Sequence, residues 1–210
     1  MNKTNLKKTV EPTHILHPFP ALFDENSRIL ILGSFPSVKS REQNFFYGHP
    51  QNRFWKLMAL IFDARMSDAL PTNNSISTCD SQSANMTPIN KAALSTDCVS
   101  PTGHVPSTIA EKTAFCHTLH IALWDTIHSC DIVGSSDSSI TNVEPNDFSE
   151  IFKTAEIQQI YCNGKASFNL YQKYCEPVTE RPAVCLPSTS PANAAWSLEK
   201  LYKAWSCIKN

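Results

Sequence analysis

The stretch Asn44–Trp55, NFFYGHPQNRFW, sets five aromatic rings (Phe45, Phe46, Tyr47, Phe54 and Trp55) beside one imidazole, His49, one amide, Asn52, and one guanidinium, Arg53. A core helix repeats its rings three or four residues apart. Here Gly48 and Pro50 interrupt the segment and crowd the rings together, which predicts a loop. Flat rings combined with an amide suit the capture of a flat, polar ligand by stacking and hydrogen bonding.

Other chemistries fall away on spacing. No GxSxG, Walker or GxGxxG pattern follows an apolar run, and LGSFPS (Leu32–Ser37) has one Gly, too few to wrap a pyrophosphate. The seven His residues form no HxH or HxxxH pair and the eight Cys residues no CxxC, so no metal centre is expected. The N-terminus MNKTNLKKTV lacks the apolar core of a secretory signal, and no apolar run is long enough to span a bilayer. The cysteines therefore read as reduced, mostly core hydrophobes of a cytoplasmic protein, with Cys162 and Cys185 inside strands. A formal net charge of −1 argues against a protein that coats polyphosphate. Any nucleic-acid contact must be local, through loops and helix N-termini.

The elements that position these groups can be read along the chain. Ile29–Leu32 is a continuous apolar run ending at Gly33, the pattern of a strand buried on both faces of a parallel sheet. Phe54, Leu57, Met58 and Ile61 share a helical face. Residues 1–14 form a polar, frayed tail. Residues 67–106, rich in Ser, Thr, Asn and Pro, form a surface insertion in a single domain spanning 15–210. Ser107 or Thr108, with Glu111, opens a helix through a capping box. Ile121–Leu123 is a second strand, ending at Trp124 and Asp125. A polar loop, SSDSSITNVEPNDF, leads to a helix near 148–155 with Asn146 or Asp147 as its cap. IQQIYCNG is a third strand and AVCL a fourth, each followed by a helix; Trp196, Leu201 and Trp205 fall on the buried side of the last.

Strand and helix alternate four times, which predicts a three-layer α/β/α sandwich around a central four-stranded parallel sheet. Ligands bind such sheets at the carboxyl ends of the strands. Those ends carry Gly33-Ser34-Phe35-Pro36, Trp124-Asp125, Asn163-Gly164 and Pro187-Ser188-Thr189-Ser190-Pro191. Small, amide, carboxylate and hydroxyl groups converge there, and a nucleobase is a flat, uncharged ligand that fits them.

LILGSFPSVKSREQNFFYGHPQNRFWKL, IALWDTI and LPSTSPANAAWSLEKL together resemble the uracil-DNA glycosylase superfamily, and most closely its DNA-deoxyinosine (hypoxanthine) glycosylase branch. HPQNRFWK is also similar to mismatch-specific uracil glycosylases. The resemblance covers the chain except the tail and the insertion. It implies a monomeric enzyme without metal or organic cofactor. Such an enzyme flips a deaminated base out of double-stranded DNA and hydrolyses its N-glycosidic bond, beginning base excision repair in the cytoplasm and at the nucleoid. Rival readings are a uracil or thymine-mismatch glycosylase, a non-catalytic protein that binds damaged DNA, and a hydrolase of free nucleosides.

The resemblance also implies roles. Phe35 stands where many members place a catalytic Asn or Asp, so the chemistry must move elsewhere. Asn52 is the leading candidate, with helix capping as the alternative or additional role. His49 and Asn142 are further catalytic candidates, and Asn146 shares the loop of Asn142. Gly33, Ser34, Phe35, Phe46, Tyr47, Asp125 and Asn163 are set around the base. Ser37, Arg53, Ser188, Thr189, Ser190, Pro191 and Asn193 are set against the DNA backbone, with Lys39 a further phosphate candidate. No Lys stands where a Schiff base would need one, so lyase activity is not expected.

Overall fold

A computed structural model describes residues 11–62 and 104–209. Residues 1–10, residues 63–103 (which take in nearly all of the insertion expected at 67–106) and Asn210 lie outside the described residues. In chain order the elements begin with β1 (Thr13–Leu16), β2 (Ile29–Gly33), α1 (Val38–Gln43), α2 (Phe54–Phe62) and α3 (Ile109–Thr118). There follow β3 (Ile121–Asp125), β4 (Ile127–Ile132), β5 (Thr141–Pro145), α4 (Ser149–Thr154), β6 (Gln159–Asn163) and α5 (Lys165–Tyr174). The chain ends with α6 (Glu176–Thr179), β7 (Ala183–Leu186) and α7 (Leu198–Trp205).

The main sheet runs β3-β2-β6-β7, all parallel. Alternate residues of its apolar strands face opposite sides. Ile31, Ile121 and Leu123 pack with Phe54, Leu57 and Ile61 of α2 and Leu201 and Trp205 of α7. Leu30, Leu32, Ala122, Ile160 and Cys162 pack with Ile151 of α4 and Tyr171 of α5. Burying each such side chain contributes about 1.5–3 kcal/mol. These two apolar layers make the predicted α/β/α sandwich. Register sets Gly33 opposite Asp125 and Asn163 opposite Leu186, so the functional strand ends finish level with one another.

A second, antiparallel sheet, β1-β4-β5, was not evident in the sequence. β3 runs almost directly into β4 through Thr126, whose N–H and hydroxyl both donate to Gly33 O, at 2.9 Å each. β4 buries Ile127, Cys130 and Ile132 against Phe35. β1 takes in Thr13 and His14 from the expected tail, and β5 lies inside the expected polar loop. Both are mostly exposed and are held by ladder bonds to β4.

Local expectations can be checked element by element. Thr108 and Glu111 form the capping box of α3. Asp147 accepts the N–H and hydroxyl of Ser149 at the start of α4. Asn146 is instead buried, donating to Asp125 O at 2.9 Å and Ile127 O at 3.0 Å across the β3–β4 junction. Cys162 is buried, but Cys185 is exposed because β7 is an edge strand. Among the described residues no helix is long and apolar enough to cross a membrane.

Candidate active site

The level strand ends form one face of a cleft of about 110 Å³, small beside the roughly 300–1,000 Å³ of sites for drug-sized ligands. It is lined by Gly33 at the end of β2 and Ser34, Phe35, Pro36 and Ser37 after it, Asp125 at the end of β3, Asn163 at the end of β6, and Ser188, Thr189 and Ser190 after β7. Phe46, Tyr47 and Asn52 enter from the aromatic loop, and Asp137 from the β4–β5 connection.

The inner end is built on Gly33. A Cβ there would lie 2.1 Å from Asp125 Oδ1, so only glycine lets the carboxylate approach β2 this closely. Tyr47, with φ 52°, stacks its ring on Phe54 at 3.9 Å between centroids. Its hydroxyl is buried without a hydrogen-bond partner among the described residues. Burial, reinforced by the charge of Asp125 and opposed by the neighbouring Asn163 amide, raises its pKa far above the usual phenol range and keeps it protonated. Behind Asp125 stands His17, which nothing in its local sequence marks as functional. The imidazole is only 1% exposed, with Nε2 2.8 Å from Asp125 Oδ2 and Nδ1 2.8 Å from Phe19 O.

One wall is a directed hydrogen-bond chain. Thr189 N–H donates to Asn163 Oδ1 at 2.9 Å, which orients that amide so that its Nδ2 donates to Thr189 Oγ1 at 2.9 Å. The Thr189 hydroxyl must then donate onward, to Asn52 Oδ1 at 2.9 Å. Asn52 Oδ1 also accepts Phe54 N–H at 3.0 Å at the start of α2. Both acceptor positions of that oxygen are filled. Asn52 Nδ2 makes no hydrogen bond to any described residue, and it is the polar group this amide has left for the cleft.

The rim carries a second carboxylate that sequence reading missed. Asp137 belongs to an exposed turn, yet its carboxylate turns inward and accepts Ser34 Oγ–H at 2.8 Å. Crowding by protein atoms raises its pKa, against the opposing effect of the Ser34 hydrogen bond and with a smaller upward push from Asp125. The turn is clasped to α1: Val38 N–H donates to Ser135 Oγ at 2.8 Å, and Arg41 donates to Gly134 O and Pro36 O. Ser37 caps α1 by accepting Ser40 N–H.

Other candidates stand outside the cleft lining. Asn142 lies on exposed β5 and donates to Asp131 at 2.6 Å. The Nδ1 of His49 accepts Gln51 N–H at 3.1 Å within its own turn. The Arg53 guanidinium donates to Thr189 O, Ser190 O, Asn193 O and Trp196 O, clasping the loop after β7. Pro191 and Asn193 belong to that loop, where Asn193 Nδ2 donates to Ser188 O at 2.9 Å. Lys39 pairs with Glu42 on the surface. Among the described residues, no three His, Cys, Asp or Glu side chains cluster as a metal site would require.

The parallel sheet, with strand ends that close on a small cleft of rings, amides and carboxylates, defines an α/β protein with its candidate site at the carboxyl ends of the strands. The family model of the Uracil DNA glycosylase superfamily matches residues 20–209, and the chain belongs to that superfamily. It is 27% identical over 179 residues to a protein of Methanosarcina acetivorans named hypoxanthine DNA glycosylase, covering 85% of this chain and 89% of that one. A stretch of 43 residues is 51% identical to a protein of the same name from Methanosarcina barkeri, covering 20% of this chain and 27% of that one. A solution NMR structure from Methanosarcina acetivorans, provisionally described as a uracil DNA glycosylase, shares the fold. Its TM-score is 0.61 at 24% identity, over 93% of this chain and all of that one.

Proposed function

We propose that this protein is a monofunctional DNA glycosylase that takes a deaminated base, hypoxanthine first, out of the duplex and hydrolyses its bond to deoxyribose. The product is an abasic site, the starting point of base excision repair. The observation that carries this reading is the Asn52 amide at a small cleft: its oxygen is locked by Thr189 and Phe54, and its Nδ2 has no partner among the described residues. The names of the two Methanosarcina relatives support hypoxanthine as the base.

Extruding a base costs a few kcal/mol of stacking, and contact with Phe35, Phe46 or Tyr47 returns part of it. As the bond from C1′ to the base nitrogen breaks, its electron pair passes to the base while the sugar becomes cationic. Asn52 Nδ2 donates to that developing negative charge, a contribution on the order of 10²–10³ in kcat for a preorganised donor. An amide with a saturated oxygen cannot take a proton from water. The Asp137 carboxylate, at the rim beside Ser34, takes it as the water oxygen bonds to C1′. Among the described residues no lysine lines the cleft, which supports hydrolysis by water over a Schiff-base route. Ser188 Oγ accepts Ser190 N–H and Ser190 Oγ accepts Ala192 N–H, leaving each hydroxyl hydrogen for a phosphate oxygen.

The test is incubation with labelled duplexes carrying deoxyinosine, deoxyuridine or deoxyxanthosine, followed by alkaline cleavage of abasic sites. Release of hypoxanthine, and no borohydride-trapped covalent complex, is expected. No base release from any duplex overturns the proposal.

A further inference from the structure

We propose that His17 is a positioning residue that fixes which atom of Asp125 meets the extruded base, and so excludes bases that present an acceptor there. The inference rests on the glycosylase reading.

A carbonyl oxygen only accepts, so the 2.8 Å contact to Phe19 O requires the hydrogen of His17 to sit on Nδ1. Two arrangements then satisfy the 2.8 Å contact between Nε2 and Asp125 Oδ2. Either Nε2–H donates to a carboxylate, or an unprotonated Nε2 accepts a hydrogen carried on Oδ2. Both leave Oδ1 as a bare acceptor. The ring cannot easily turn away, because it packs against Phe19 and Trp124 at 4.6 Å between centroids and against Phe35 at 6.0 Å.

Oδ1 is the oxygen that comes within 2.1 Å of a Cβ built on Gly33, and the same Cβ lies 3.9 Å from the Tyr47 hydroxyl. The inner end of the cleft therefore offers a fixed acceptor beside a protonated phenol. Hypoxanthine presents an N–H beside a carbonyl oxygen, which matches. Adenine presents a bare ring nitrogen beside an amino group, and its lone pair would face that of Oδ1. Uracil and xanthine also carry a ring N–H beside a carbonyl, so this device separates deaminated bases from adenine and cytosine without ranking them.

The position in the fold explains how a residue so distant in sequence reaches the site. β1 pairs with β4, and His17 N–H donates to His128 O at 2.7 Å just past that ladder. The small antiparallel sheet thus carries His17 to Asp125.

The experiment compares the wild-type protein with His17→Phe and His17→Gln. It measures kcat/KM on duplexes with deoxyinosine, deoxyuridine or adenine opposite an abasic analogue, together with affinity for an abasic duplex and thermal stability. His17→Phe should lose about ten- to hundred-fold in hypoxanthine and uracil release, the size expected for a misplaced buried acceptor, with abasic-duplex affinity retained. His17→Gln, which can still donate to Asp125, should recover much of it. If His17→Phe folds poorly, His17→Gln and His17→Ala decide: the preference for hypoxanthine over adenine should stay within a few-fold of wild type in the first and narrow in the second. Wild-type rates and preference in His17→Phe, or equal losses in Phe and Gln variants, overturn this inference alone. Absence of base release by the wild-type protein overturns the glycosylase reading and this inference with it.

Discussion

The Thr189 hydroxyl donates to Asn52 Oδ1 at 2.9 Å while receiving Asn163 Nδ2 at 2.9 Å. Thr189 is fully buried, so water cannot replace either bond. The ends of β6 and β7 are thereby coupled to the loop that opens α2, and the Asn52 amide is given one orientation. Thr189→Val keeps the shape and removes both bonds. It should cost about 1–3 kcal/mol of stability, because Asn163 Nδ2 is left unpaired. Base release should fall further than stability does, since Asn52 becomes free to turn. Denaturant melts and single-turnover excision, measured together, check both.

Asn52 has two roles that substitution can separate. Asn52→Asp retains an oxygen for Phe54 N–H and Thr189 Oγ–H but has no Nδ2. Asn52→Ala loses both. The Asp variant should remain within a few tenths of a kcal/mol of wild type and the Ala variant should lose about 1 kcal/mol, the usual loss of a helix-start acceptor. Excision should fall in both by on the order of 10²-fold or more. An Asp variant that excises normally would remove the Nδ2 donor from the mechanism.

The four parallel strands were legible because strands buried on both faces need unbroken apolar runs, as in Ile29–Leu32 and Ile121–Leu123. β5 was not: its sequence TNVEP has one half-buried apolar residue and owes its conformation to β4. Most of the candidate cleft was readable because its residues sit at strand ends or in one aromatic loop. His17 and Asp137 were not, since each depends on a partner more than 100 residues away in the chain. Arg53 has the composition of a phosphate ligand, but its partners are carbonyls that no local pattern specifies.

That placement makes a measurable difference for Arg53. Were its guanidinium bound to a phosphate, Arg53→Gln should reduce the slope of log affinity against log salt by about 1. A clasp on the loop after β7 should leave that slope unchanged while weakening excision and lowering the melting temperature. The second pattern is expected, and duplex binding at several salt concentrations distinguishes the two.

Gly33→Ala tests the close packing at the inner end of the cleft. Its methyl would meet Asp125 Oδ1 at 2.1 Å, so the carboxylate must shift or the strands must part. Overpacking of this kind costs about 1–3 kcal/mol. Hypoxanthine release should be lost even in the fraction that remains folded, as judged by excision per folded molecule.

Asp137 predicts how the enzyme responds to pH. Crowding at the cleft rim raises its carboxyl pKa, with Ser34 opposing. A base must be ionised to accept a proton from water, so kcat/KM should rise with pH through a midpoint above the ordinary Asp range and then level off. Stability moves the other way. A carboxyl whose folded-state pKa is raised favours the protonated native form, so its contribution is present below the unfolded value and is lost as pH rises through the folded value. The exposed setting of the turn keeps that contribution small. Asp137→Asn should abolish the acidic limb of the rate profile and lower the plateau by about 10²–10⁴-fold, with melting temperature at neutral pH unchanged or slightly higher. A variant that kept both limb and plateau would return the proton to another group.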